Sequence, residues 1–250
     1  MCMHKLSQFF NNQFVPVGAL LGVALVIAAL IGSWTAIVVK NANNTLTVTG
    51  SATQNVSADT AKWTITDNRT AFQAELPSAT NQVIADAKII TAFLTHAGIS
   101  AADITLGAIH TNQDYSYVKS NVNSPTRYVV SQNVTVTSNN PELIQSLAQN
   151  TSSLTNQGLI LNVQDPQYLI SNLPQYRISL AGAAMQDARA RAEQIVKGSG
   201  ESVGPLRSAS TGAVQVMAAD SIDVSDFGTY DTGTINKTVM VTVRATFAVQ

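Results

Sequence analysis

The hydrophobic pattern changes period several times along this chain. From Phe14 to Val39 it does not alternate at all: FVPVGALLGVALVIAALIGSWTAIVV carries no charge. The run is about 26 residues, and roughly 20 suffice to span a bilayer as a helix. In hydrocarbon each unsatisfied backbone group costs several kcal/mol, so a single span must be helical. Pro16 fits the first turn, where no amide hydrogen bond is lost. Trp34 and Lys40 suit the far interface. A cleaved signal peptide is the competing reading, with an apolar core of about 7–15 residues ending at small residues. This run is longer and ends in Ala-Ile-Val-Val-Lys, which favours an uncleaved anchor over residues 14–39. Residues 1–13 are then a short flank and 40–44 a linker.

Beyond the linker the period becomes two, the signature of half-buried strands. Leu46 and Val48 share a face, as do Ala61, Trp63 and Ile65. A stripe at three- and four-residue steps follows: Leu76, Ala79, Val83, Ala87, Ile90, Leu94 and Ala97. Pro77 opens this helix and Gly98 closes it. Strands are expected near 103–116 and 126–137. Asn140 as N-cap and Pro141 at the first helical position start a short helix. GLILNV at 158–163 reads as a strand. Pro174 opens a long helix to about Lys197, with Ile178, Ala181, Met185, Ala188, Ala192 and Ile195 as its apolar stripe. A strand near 204–217, an acidic loop and a strongly alternating strand through Val239, Val241, Val243, Ala245, Phe247 and Val249 complete the chain. The order is ββαββ followed by αβαββ, an α+β domain over 45–250 whose helices cover a largely antiparallel sheet.

Composition narrows the function classes. Only 12% of the 250 residues are charged and the net charge is −1. Lys5 and Lys40 apart, the charges lie between Asp59 and Arg244, with acids in excess. A polyphosphate partner is disfavoured by such a surface, so no nucleic acid is expected. Cys2 is the one cysteine, which excludes an intrachain disulfide. His4 and Lys5 precede the apolar run without an acid, and after Lys40 no charge occurs until Asp59. The positive-inside rule then puts the N-terminus in the cytoplasm and residues 41–250 outside. Gly18 and Gly22 form a GxxxG, a candidate site of anchor-helix pairing beside the plainer reading of incidental small residues.

The stretch QDARARAEQIVKGSG at 186–200 tests the remaining possibilities. Asp187–Arg191 and Arg189–Glu193 are four-residue pairs, so its arginines have partners and form no free cationic patch. Gly198, Gly200 and Gly204 resemble a dinucleotide loop, but they follow a helix and carry one residue too many. They read as a helix C-cap and turn.

This helix with its small-residue turn resembles the SIMPL domain family. Further matches are LTVTGSATQNVSADTAKWTI, HAGISAADITLGAIHTNQDYSY, YVVSQNVTVT and VMVTVRATFAV. Pro174 with PQYLISNLPQYR departs from the general pattern and suits a subgroup. The resemblance implies a bacterial envelope protein that self-associates, in some members with a link to stress defence. It carries over no catalytic residue.

Catalytic groupings are not evident: no HExxH, CxxC, GxSxG or P-loop occurs. His110 is expected as a partly buried structural residue on the face of Ile104, Leu106 and Ala108. Asp220, Asp223, Asp226 and Asp231 read as a solvating acidic loop, with calcium binding as the sharper alternative. No cofactor and no metal are expected. The candidate contact residues are Tyr115, Tyr117, Phe227 and Tyr230, because aromatics are enriched at interfaces. The expectation is a non-enzymatic, membrane-anchored scaffold that forms a homo-oligomer. Alternatives are a glycan- or peptide-binding module and, less favoured, a hydrolase assembled from distant segments.

Overall fold

The computed structural model describes residues 18–36, 44–117 and 124–250. The flank 1–13, the anchor ends 14–17 and 37–39, linker residues 40–43 and residues 118–123 lie outside the described residues. Helix α1, Gly18–Ala36, is 19 residues, predominantly apolar and without a charge, with none of it buried in the protein. Its length and composition are those of a membrane span or of a signal sequence.

The folded part divides into two compact units. One takes Met1–Ser51, Ala183–Thr211 and Val243–Gln250; the other takes Ala52–Gly182 and Gly212–Thr242. Strand β1 (Thr45–Ser57), helix α5 (Leu173–Lys197) and strand β9 (Asn236–Val249) contribute residues to both.

In the second unit, β2 (Thr60–Phe72) pairs antiparallel with β4 (Arg127–Ser138) from Ala61↔Ser138 to Phe72↔Arg127. β3 (Ile104–Gln113) lies on the far side of β4, and β5 (Leu161–Val163) and β6 (Gln167–Leu169) pair with β2. Helix α2 (Leu76–His96) covers one face of β2 and β4. The two-residue period puts Trp63 and Ile65 on that face, against Ile90, Leu94, Val134 and Val136. Each of these is wholly buried. Burying such a side chain stabilises by roughly 1.5–3 kcal/mol, largely offset by the chain entropy lost. The Trp63 indole N–H donates to the Gln164 carbonyl at 2.9 Å, so the largest core residue leaves no polar atom unpaired. Short helices α3 (Pro141–Gln149) and α4 (Ser152–Thr155) add Ile144 and Leu154 to the same core. The expected cap at Asn140 is present: its side chain accepts the Leu143 N–H at 3.0 Å. The turn after β1 is fixed by Asp59, whose carboxylate accepts the Ser171 N–H at 2.9 Å and its hydroxyl at 2.7 Å.

A second sheet has the order β1-β9-β7, with β7 (Val203–Thr211) and β8 (Gln215–Ala218) both paired to β9. The single strand expected near 204–217 is therefore two. The break falls at Gly212, whose N–H donates to the Thr242 carbonyl at 2.9 Å. A Cβ there would lie 2.3 Å from Thr242 Oγ1. β6 and α4 were not apparent in the pattern, because three or four residues carry too little periodicity.

The stripe of α5 also differs from expectation. Leu180, Ala184, Ala188, Ala192 and Val196 are buried, whereas Ile178 is 76% and Ile195 56% exposed. The reason lies in the strand beneath. A Cβ on Gly50 would sit 2.2 Å from the Ala184 carbonyl oxygen and 2.3 Å from the Ala188 nitrogen, so helix and strand backbones nearly touch. Only alanine fits on the helix side of so close an approach, and the larger isoleucines turn outward.

Candidate contact surfaces and a buried acid cluster

The acidic loop between β8 and β9 is held from below by buried polar side chains. Gln215 is 5% exposed and Lys237 wholly buried. The Gln215 amide donates to the Ser225 carbonyl at 2.5 Å and accepts from Thr229 Oγ1 at 2.9 Å. Lys237 Nζ donates to the Asp231 carbonyl at 2.6 Å and to its carboxylate at 2.9 Å. The same carboxylate accepts the Thr234 hydroxyl and the Gly233 N–H. Burial pushes the Asp231 acid up, but the Thr234 hydroxyl and Lys237 ammonium outweigh it and bring the carboxyl down to about 2. Asp231 is therefore part of the loop's foundation.

Above this base stand Ile222, Val224 and Phe227, exposed by 90%, 61% and 98%. Asp220, Asp223 and Asp226 alternate with them in solvent. One exposed apolar side chain is ordinary, but several together on a loop fixed at both ends form a presented patch. A groove of about 370 Å³ adjoins it, lined by Met217, Ser221, Asp223, Thr229, Tyr230 and Asp231. Tyr230 is 40% exposed, and its hydroxyl accepts the Ile170 N–H at 2.9 Å.

The tyrosine-rich connection after β3 is organised by charge. Asp114 accepts Arg127 Nε at 2.8 Å, and the Ser116 N–H at 3.0 Å. The Ser116 hydroxyl and the Arg127 guanidinium hold the Asp114 carboxyl below the usual range. That guanidinium lies 4.5 Å from the Tyr117 ring centre, and the Tyr117 ring meets Phe72 edge-on at 5.9 Å. Tyr117 is thus engaged within this connection, while Tyr115 is 85% exposed. Gly18 and Gly22 lie on α1 with nothing within 4 Å of an added Cβ.

His110 is exposed, not partly buried. The register of β3 on β4 shifts between Leu106 and Ile109, so the face continued from Ile104 and Leu106 ends there. His110 pairs with Ser131 and Ile109 with Gln132 beyond the shift. The two ion pairs expected on α5 are present, Arg189–Glu193 at 3.0 Å and Arg191–Asp187 at 2.8 Å. Asp187 does more: its carboxylate accepts the Ser51 N–H at 2.8 Å. That backbone donor, and then Arg191, keep its carboxyl below the usual range. Among the described residues no group of three or more His, Cys, Asp or Glu is placed to hold a metal ion.

One cluster was missed from sequence. Asp67 continues the inward row Ala61, Trp63, Ile65 by two more residues, and it is wholly buried. Neither of its carboxylate oxygens has a hydrogen-bond donor among the described residues. Asp86 on α2 is 7% exposed and is ion-paired with Arg69 through Nε at 2.8 Å and through Nη2. Burial, then the neighbouring Asp86 charge, push Asp67 up to about 6 against the partial relief from Arg69. The signal was available: a carboxylate at an inward position of an otherwise apolar alternation.

Two of the segments that carry the family resemblance lie against each other. LTVTGSA meets the helix that carries DARARAEQI, with Gly50 and Ser51 against Ala184, Asp187 and Ala188. No curated protein matches the chain. Residues 46–247 match the family described as SIMPL, protein of unknown function (DUF541), and the chain therefore belongs to the SIMPL family.

Proposed function

We propose that this is a non-enzymatic cell-envelope protein that works by self-association. Residues 14–39 anchor it in membrane lipid with the N-terminus cytoplasmic and residues 41–250 outside. The observation that carries the reading is the apolar tip Ile222, Val224 and Phe227, set on a base of buried hydrogen bonds through Gln215 and Lys237. A patch held in one conformation loses little entropy when a partner covers it. The excess of acids argues against a nucleic-acid partner. The family resemblance supports an envelope setting and a link to stress defence.

The test is the mass of the full-length protein extracted in detergent at micromolar concentration. The native chain is expected as an oligomer. Substituting Ile222→Ser, Val224→Ser and Phe227→Ser together is expected to reduce the mass without lowering the unfolding temperature. A strictly monomeric native chain overturns the reading.

A second reading is a binding module for glycan or peptide at 114–127 and 218–234. It is favoured by the near-complete exposure of Tyr115 and Phe227. Tyr115→Ala and Phe227→Ala should then abolish retention on cell-wall material. Tyr117 and Tyr230 are poorer probes, because both make contacts within the fold.

A further inference from the structure

The Asp67–Asp86–Arg69 cluster holds two acids and one base in the interior. Arg69, two residues along β2 from Asp67, binds Asp86, so with both acids ionised the Asp86 charge acts on an Asp67 carboxylate that has no hydrogen-bond donor among the described residues. Such an arrangement is costly where water is excluded. Arg69 relieves it only in part, since its Nε and Nη2 both go to Asp86 Oδ2. Among the described residues the neighbouring elements turn no other charge toward Asp67. In register with Asp67 stand Gln132 on β4 and Leu161 on β5. The Gln132 amide donates to the Gly107 carbonyl at 2.9 Å. From α2, Val83, Ala87 and Ile90 flank Asp86, and Lys88 is exposed. α3 and α4 turn Ile144, Leu147 and Leu154 into the core, and Glu142 is exposed. His110 belongs to the opposite face of its sheet row, pairing with Ser131.

We infer that at mildly acidic pH Asp67 holds a proton and its O–H hydrogen-bonds to Asp86, forming a proton-dependent latch between β2 and α2. The added proton supplies the missing donor and leaves one carboxylate balanced by one guanidinium. Arg69 extends the latch, since its Nη2 also donates to the Gly158 carbonyl at 3.1 Å. Next to it, the Asn68 N–H donates to the Ile160 carbonyl at 2.9 Å. Helix α2, strand β2 and the segment leading into β5 are therefore tied at one point. When the Asp67 O–H bond breaks, the proton passes to solvent and two carboxylates face one base. The β2–α2 contact then loosens. This latch is independent of the self-association reading and stands or falls without it.

The direct test is a carbon-13 NMR titration of the aspartate side chains in the full-length chain in detergent. Asp67 is expected to titrate near 6, far above the ordinary aspartate value of 3.8. A midpoint in the ordinary carboxylate range overturns the latch. In Asp86→Asn, the Asp67 midpoint is expected to fall back toward that range, because the opposing charge is gone and Arg69 is released to it. An unmoved midpoint in that variant removes Asp86 as the acceptor. Asp67→Asn should flatten the rise in unfolding temperature that acid produces in the native chain. If that variant does not fold, the native titration alone decides.

Discussion

Gly50 of β1 lies against Ala188 of α5 so closely that a methyl group at position 50 would stand 2.3 Å from the Ala188 nitrogen and 2.8 Å from its Cα. The clash is with helix backbone, which cannot rotate away. Gly50→Ala is therefore expected to destabilise the fold by at least the ~1–3 kcal/mol typical of overpacking. Chemical denaturation of the full-length protein in detergent measures it, and a change within a few tenths would contradict the close approach. Ala188→Gly should restore little, because most of the clash is with main-chain atoms.

Asp187 holds two partners of unequal value. The Arg191 pair is exposed on the helix surface and contributes little. The Ser51 N–H is a backbone donor with a single directed acceptor. Asp187→Ala should thus destabilise clearly more than Arg191→Ala. Equal losses would assign the stabilisation to the ion pair instead.

Stability should depend on pH in two opposite windows. Asp67 has a folded pKa of about 6, above its ordinary value of 3.8. The folded state then binds more protons than the unfolded state between these values, so stability falls as pH rises from about 4 to about 6. A shift of this size corresponds to on the order of 2–3 kcal/mol. Asp231 has the opposite sign, with a folded value of about 2. Its contribution is present above about 4 and lost as pH falls toward 2. Unfolding temperatures recorded across this range should peak near pH 4. Asp67→Asn should shift the maximum toward neutrality.

Gln215 is the test of rigid presentation. It is buried and bonded to Ser225 and Thr229 within the loop. Gln215→Ala is expected to cost about 1–3 kcal/mol by leaving those groups without partners. It should also weaken self-association although Ile222, Val224 and Phe227 are retained. Unchanged association would mean that the patch acts without its support.

The parts of this fold visible in the sequence are those where one interaction dominates. β9 was legible because Val239, Val241, Val243, Ala245 and Phe247 obey a strict two-residue period and all are buried. α2 was legible for the same reason at the helical period, and Asn140 because a cap is a local hydrogen bond. The α5 stripe was misread because hydrophobicity ranks isoleucine above alanine, whereas the contact with Gly50 selects by size. Lys237 and Gln215 look like surface residues by type; their burial follows from a loop folding back over them, a non-local event. Asp67 needed only the extension of a row already identified. Residue type named Tyr115, Tyr117, Phe227 and Tyr230 alike as contact candidates; which of them are committed internally depended on Arg127 and Ile170.

The chain has two tryptophans, and they sit in unlike surroundings. Trp63 is sealed in the core with its indole bonded to Gln164, while Trp34 projects from the apolar helix, 72% exposed. Their fluorescence is therefore separable without any label. The emission of Trp63 should be blue and shielded from aqueous quenchers until the domain opens, and that of Trp34 should answer to quenchers dissolved in the bilayer or micelle. One spectrum would then follow unfolding and insertion as independent signals in the unmodified protein.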